Sequence, residues 1–128
     1  MSVDKRFDVS LCGELNLDLI LYGLPEQLPL ERELLCNNLA LTLGSSSAIL
    51  AHNLSKLGSR VGFISRIGSD PVGQIALDWL ESAQVDVSRV RRVPQSSGLT
   101  VVLQHQPRRH MFTYPGTKIG RASCRERV

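Results

Sequence analysis

The sequence predicts an α/β fold, in which a main sheet is accompanied by a small antiparallel sheet. Two segments with helix-type ends, "GSSSAILAHNLSKLG" and "SDPVGQIALDWLESAQ", alternate with short apolar segments, as in sheets connected through helices. Turn-rich segments with alternating apolar residues lie before the first helix and at residues 99–114. These three observations together favour an α/β class over an all-helical or all-strand fold.

Two strands are predicted near the N-terminus. Residues 7–12 are predicted to form the first, and Gly13 interrupts it. Leucines then occupy every second position from 15 to 21, which places Asn16 and Asp18 together on the opposite face of a strand. On spacing alone, a solvent-facing or turn-capping role is the simpler interpretation of these two polar residues.

A polar, proline-containing loop at residues 23–33 and one or two short strands within residues 33–44 precede the first helix. The serine run predicts N-cap hydroxyls. Leu50, Leu54 and Leu57 predict one buried face, and Gly58 is placed to end the helix. The N–H groups at the helix start suit an oxygen-rich ligand, although ordinary capping explains the same residues.

The second helix follows a buried strand, "RVGFISRIG". Asp70 is predicted as its N-cap and Pro71 as its first residue. The apolar stripe that we predict to be core contains Val72, Ile75, Ala76, Trp79, Leu80 and Ala83. Residues 85–96 are predicted to connect this helix to a hairpin with strands at 99–105 and 110–114.

Composition favours a globular cytoplasmic protein with reduced thiols. The chain has 128 residues, of which 42% are apolar and 21% are charged, and no apolar run approaches the ~20 residues that span a bilayer. The N-terminus lacks a signal-peptide core. Cys12 and Cys36 have no metal-type spacing. No G-x-G-x-x-G opens the first helix, which argues against a dinucleotide site.

The positive charge of the chain lies in its last residues. The chain has 15 basic and 12 acidic residues, and residues 118–128 contain four of the basic and one of the acidic ones. The remainder is therefore neutral, which argues against nucleic acid as a partner. Residues 119–128, "IGRASCRERV", resemble a translated sequencing adapter. We therefore predict that residues 118–128 are non-native and that the natural protein is longer; a disordered basic tail is the alternative.

Motifs along residues 7 to about 116 resemble those of the ribokinase-like, or pfkB, carbohydrate kinases. The segments that carry the resemblance are "DVSLCGELNLDLIL", "SKLGSRVGFISRIGSDPVG", "VDVSRV", "SGLTVVL" and "RRHMFTYPG". The resemblance implies a partial Rossmann-like ribokinase fold in which residues 1–117 form the N-terminal part of the kinase domain. It also implies a β-lid with strands within about 19–43 and 99–114, and we expect Val101, Leu103, Phe112 or Tyr114 to neighbour residues 34–41.

The resemblance implies a set of substrate-binding residues. They are Asn16, Asp18, Gly44, Ser45, Thr100, Phe112 and Tyr114. Two positions depart from the family pattern: Ser45 replaces a glycine, and Ile49 replaces an asparagine that contacts substrate. Gly68, Asp70 and Gly73 match a structural turn of the family. Arg108 and Arg109 would suit a sugar phosphate, although a solvated hairpin turn is the simpler interpretation.

The activity that the resemblance implies is ATP-dependent phosphoryl transfer to a hydroxyl of a sugar, sugar phosphate or nucleoside. The implied catalytic base and the sites for ATP and Mg²⁺ lie in a segment absent from this chain, so no catalytic residue or metal ligand is assigned and the chain alone is expected to be inactive. A homodimer through the β-lid is a further expectation; nucleic acid and membranes are not expected partners. The alternatives are a nucleoside kinase of the same fold and a non-catalytic sugar-binding or dimerisation module.

Overall fold

The computed structural model describes residues 6–117 of the chain, and the predicted non-native residues 118–128 lie outside the described part. The elements are β1 (Val9–Cys12), β2 (Asn16–Tyr22), β3 (Asn38–Gly44), α1 (Ser46–Lys56), β4 (Val61–Gly68), α2 (Pro71–Ser82), β5 (Asp86–Val93), β6 (Gly98–His105) and β7 (Arg108–Tyr114). The predicted α/β class is confirmed. Neither helix of this part is long and apolar enough to cross a membrane.

The main sheet has three parallel strands in the order β1-β4-β5. The sequence prediction treated β5 as a connecting segment, which is wrong. The arginines at 89, 91 and 92 obscure the strand pattern, yet Val87 and Val90 pack against the core. These arginines lie at exposed positions of an edge strand, where charged side chains are common.

The second sheet, which we call the small sheet, has four strands in the order β3-β2-β6-β7. Its outer pairs are antiparallel as predicted, but the central β2–β6 pair is parallel. The chain makes a long crossover through the main sheet and both helices between these strands, and long crossovers are what parallel pairing requires. The predicted pairing of the two lid stretches into one small sheet is confirmed, but Val101 pairs with Leu19 of β2, so β2 lies between β6 and the residues of β3 that were expected as neighbours.

Helix α1 faces the core with small residues. Ala48 and Ala51 are fully buried, whereas Leu50 is half exposed and Leu57 is 82% exposed. Of the predicted leucine face, only Leu54 packs against the core, and the small alanines let the helix approach the sheet closely. Gly58 does end the helix as predicted: it has φ +97° and donates its N–H to the carbonyl of Ser55.

The start of α1 differs from the prediction of a serine cap. Ser45 occupies the N-cap position with φ 66°, and its side chain makes no cap hydrogen bond. Its hydroxyl instead donates to the carbonyl oxygen of Glu14, and that of Ser47 donates to the same oxygen at 3.4 Å. The serines thus connect the helix start to the segment between β1 and β2.

Helix α2 begins as predicted, with Pro71 as its first residue and the Asp70 side chain accepting the Gly73 N–H at 2.8 Å. Its core stripe is confirmed at Ala76 and Leu80, which are fully buried. Trp79 is only half buried and reaches both the core and an adjoining cavity. The prediction that Trp79 is purely a core residue is therefore incomplete.

Candidate functional site

Asn16 and Asp18 lie where the small sheet meets the start of α1. Asn16 is the first residue of β2 and pairs with Gly44 on one side and Gly98 on the other. A Cβ atom on Gly44 would lie 2.6 Å from Asp18 Oδ1 and 3.0 Å from Asn16 Nδ2. The absence of a side chain at Gly44 therefore gives the two polar side chains their space.

Asn16 is buried, and its Oδ1 atom has no hydrogen-bond partner among the described residues. Buried amide oxygens are normally satisfied, and exceptions call for an explanation such as a ligand or water. Asp18 is partly exposed, and a carboxylate can accept about four hydrogen bonds. Asp18 is thus suited to receive hydroxyl donors, while Asn16 lies buried beside it.

Thr100 shares the face of the small sheet that carries Asp18, because the two residues are paired across β2 and β6. The Thr100 side chain is buried, and its Oγ1 atom lies 3.0 Å from Oγ1 of Thr113 on β7. Thr100 therefore lies beside the predicted site, with its hydroxyl engaged by Thr113.

Phe112 and Tyr114 lie on the other face of the small sheet. Their partners on β6 are Val101 and Leu99, which pair in turn with the leucine face of β2. Paired residues point to the same side, whereas neighbours along a strand alternate. The two aromatic side chains therefore lie on the face of the small sheet opposite Asp18.

Ser45 lies next to Gly44, but its hydroxyl is directed to the Glu14 carbonyl oxygen. The side chain consequently fixes the loop at the start of α1, at the positive φ of 66° that a glycine adopts without strain. The structure gives Ser45 a structural contact where the sequence comparison predicted a substrate contact.

A cavity of about 380 Å³ adjoins Asp18. It is lined by Asp18, Thr42, Leu43, Ile49, His52, Asn53 and Trp79. Sequence reasoning missed His52, Asn53 and Trp79 as lining residues. The spacing of positions 49, 52 and 53 on one helix face was the available signal, but it identifies a face without saying what it faces.

The turn formed by residues 68–73 does not line the site but positions the strand β6 beside it. Asp70 accepts hydrogen bonds from the Gly73 N–H, the Ser97 N–H and the Ser97 hydroxyl at 2.6–2.8 Å. Partial burial raises the pKa of Asp70, but these hydrogen bonds outweigh it and the pKa is lowered overall. Ser97 immediately precedes Gly98, so this network sets where β6 begins beside Asn16. Sequence reasoning missed Ser97.

The hairpin arginines lie at exposed positions. Arg108 donates to Glu26 at 2.9 Å, and both side chains are largely exposed. This favours the solvated-turn interpretation. Within residues 6–117, no group of three or more His, Cys, Asp or Glu side chains could hold a metal ion.

The family model described as pfkB family carbohydrate kinase matches residues 7–119. Over 60 residues the chain is 37% identical to a 5-dehydro-2-deoxygluconokinase of Clostridium botulinum, which covers 45% of this chain and 18% of that protein. Over 99 residues it is 27% identical to an ATP-dependent 6-phosphofructokinase of Thermoanaerobacterium thermosaccharolyticum, which covers 77% and 29%.

Solved structures show the same fold. A fructokinase of Halothermothrix orenii is 28% identical with a TM-score of 0.72, over 86% of this chain and 38% of that one. An Arabidopsis thaliana ribokinase complexed with ribose and ATP is 21% identical with a TM-score of 0.75, over 88% and 37%, a likeness of fold alone. The chain thus spans less than two fifths of each relative.

Proposed function

Because the chain belongs to the pfkB family of carbohydrate kinases, we propose that it forms the sugar-binding part of an enzyme that transfers a phosphoryl group from ATP to a sugar hydroxyl. The two curated relatives above are matched over only 18% and 29% of their lengths. The active enzyme is therefore proposed to be longer, and this chain alone to be inactive.

The observation that carries the proposal is the arrangement of Asn16 and Asp18 against Gly44. Because Gly44 has no side chain, both polar side chains pack closely against its backbone. Asp18 would accept hydrogen bonds from sugar hydroxyls, and Asn16, which is buried beside it, would help to orient them. Charge-assisted hydrogen bonds of this kind are stronger than neutral ones.

The substrate class is proposed to be a monosaccharide or its acid or phosphate. The relatives named above are a kinase of a deoxy sugar acid and a 6-phosphofructokinase. The cavity of about 380 Å³ beside Asp18 lies in the range of small-molecule sites. These observations support a small sugar without selecting one.

ATP with magnesium is the implied phosphoryl donor. The resemblance to the family assigns neither the nucleotide nor the magnesium to residues of this chain. We propose that other parts of the longer enzyme bind the nucleotide and supply the proton acceptor. The part played by this chain is to bind and orient the sugar.

The small sheet is proposed to act as a cover over the sugar. Its Asp18 face carries Thr42 and Thr100, so the cover would present polar groups to the substrate. Excluding water from the reacting hydroxyl is a general contribution of such covers.

The direct test is Asp18→Ala in the full-length protein. Loss of a charged acceptor costs about 1.5–3 kcal/mol, so kcat/KM should fall about 10- to 150-fold, mainly through KM. Asp78→Ala, on the exposed surface of α2, is the matched control and should leave both constants unchanged. Unaltered sugar kinetics in Asp18→Ala would remove Asp18 from the site.

A homodimer through the other face of the small sheet is a further proposal. Phe112 and Tyr114 are each 57% exposed there, and Leu39 lies exposed on the same face. Exposed apolar surface of this extent is typical of interaction sites. Light scattering on the full-length protein should give twice the chain mass, and the double variant Phe112→Ser/Tyr114→Ser should give the monomer mass. A wild-type monomer at micromolar concentration would refute the proposal.

A further inference from the structure

The cavity beside Asp18 has walls of two chemical kinds. Its polar residues are Asp18, Thr42, His52 and Asn53, and its apolar residues are Leu43, Ile49 and Trp79. A ligand in this cavity would therefore contact hydrogen-bonding groups on one side and apolar side chains on another.

Ile49 is the most exposed of the three apolar residues that line this cavity. It lies in the first turn of α1, and 42% of its surface is exposed. An isoleucine can neither donate nor accept a hydrogen bond. A ligand group pressed against it loses its hydrogen bonds to water and gains none from this side chain.

We propose that the cavity selects a sugar with a C–H group, as in a deoxy sugar, in preference to a hydroxyl at the carbon that faces Ile49. This inference rests on the proposed sugar-kinase function. A methylene group gains contact with Ile49 without losing hydrogen bonds, whereas a hydroxyl is left unsatisfied. Apolar pockets discriminate against an added hydroxyl by up to about 100-fold.

The polar residues determine which carbon meets Ile49. Asp18 and its cross-strand partner Thr42 both line the cavity and would fix the sugar through its hydroxyls, so the sugar cannot turn to present another carbon without losing those hydrogen bonds. Ile49 is held on a helix whose alanines are fully buried against the core. Selection therefore acts at one defined carbon.

The experiment compares matched sugars on the full-length protein. D-Glucose is paired with its 2-, 3- and 4-deoxy derivatives, D-ribose with 2-deoxy-D-ribose, and D-gluconate with 2-deoxy-D-gluconate. Turnover is measured with ATP, and binding is measured by calorimetry without ATP. We expect one deoxy sugar to exceed its hydroxyl partner by about 10- to 100-fold in kcat/KM and in affinity.

Ile49→Asn and Ile49→Thr supply a hydrogen-bonding group. They should reduce the ratio of kcat/KM for the deoxy sugar to kcat/KM for its hydroxyl partner at least 10-fold. Ile75→Asn, at a position 39% exposed on α2 that does not line the cavity, should leave the ratio unchanged. If every hydroxyl sugar is preferred to its deoxy derivative, or if the ratio is unaltered in both Ile49 variants, this inference is overturned and the sugar-kinase proposal stays intact. Absence of both turnover and binding for all sugars overturns both.

Discussion

The position of the Asp18 carboxylate depends on the lack of a side chain at Gly44. A Cβ atom at position 44 would lie 2.6 Å from the Asp18 carboxylate, a separation that forces atoms to move. The carboxylate is the more movable partner, because Gly44 is held in the β2–β3 pair. A side chain at position 44 would thus displace the carboxylate that is proposed to bind the sugar.

We expect Gly44→Ala to raise KM for the sugar about 10- to 100-fold, since displacements of about 1 Å in a site have effects of that size. The measurement is steady-state kinetics of the full-length enzyme. Gly58→Ala is the control: it places alanine at φ +97° with no atom near its Cβ, so it should lower stability by about 1–2 kcal/mol and leave KM unchanged. Equal KM values for wild type and Gly44→Ala would show that Asp18 tolerates the displacement.

A second residue-scale contact is the exposed ion pair between Asp8 and Arg60. The Arg60 guanidinium and backbone N–H both donate to the Asp8 carboxylate at 2.8–3.3 Å. These hydrogen bonds lower the pKa of Asp8 to about 2. They join the segment before β1 to the segment before β4.

The lowered pKa predicts a loss of stability in acid. The contribution is present above the ordinary aspartate pKa of about 4 and disappears as the pH falls toward about 2. In Arg60→Met, an NMR titration should show the pKa of Asp8 returning toward its ordinary value. Arg108→Met breaks a different exposed pair, with Glu26, and should leave the Asp8 titration unaltered. An Asp8 pKa near 4 in the wild type would contradict the pairing.

At the scale of elements, one hydrogen-bond network joins β4, α2 and β6. Ser97 Oγ accepts the Gly68 N–H at 3.0 Å and donates to Asp70 at 2.6 Å. Gly73 adds its own N–H to Asp70, and its Cα lies so close to the Gly68 carbonyl that a Cβ would be 2.1 Å away. The network fixes the start of β6 relative to the main sheet.

Ser97→Ala should lower the free energy of unfolding by about 1–3 kcal/mol, because it leaves the buried Gly68 N–H without its acceptor. Urea unfolding of the full-length protein measures this. Ser82→Ala removes an exposed hydroxyl that bonds to the Trp79 carbonyl oxygen and should change stability by less than about 0.5 kcal/mol. Similar effects of the two variants would mean that the network does not stabilise the β6 start.

At the scale of the whole molecule, only one face of the main sheet is covered in the described part. Phe63 and Ile67 of β4 are fully buried with the helices, whereas Ile64 on the opposite face is substantially exposed. Parallel sheets are normally covered on both faces. We expect the rest of the proposed longer enzyme to cover this face.

The isolated 128-residue chain should therefore bind the dye ANS, aggregate and show no kinase activity. Exposed apolar surface and open strand edges both favour association. Calorimetry should show no cooperative transition. A soluble monomer that melts cooperatively would contradict the inference that a substantial part of the core is missing.

The sequence by itself determined the places of both helices, the α2 cap at Asp70 and the alternation that puts Asn16 and Asp18 on one face of a strand. These features depend on residues within a few positions of one another, so local spacing suffices to predict them. Motif order, likewise readable from the chain, was enough to identify the pfkB family, which the family match confirmed.

Only the tertiary structure decided the parallel β2–β6 pair, the strand character of Asp86–Val93 and the cavity contacts of His52, Asn53 and Trp79. The role of Ser45 was likewise not predictable from local sequence. Its hydroxyl donates to the Glu14 carbonyl oxygen, 31 positions away, and does not cap the helix that follows it. Pairings between distant segments follow from which surfaces can be buried together. That depends on the whole fold, so the local pattern at each position leaves it undetermined.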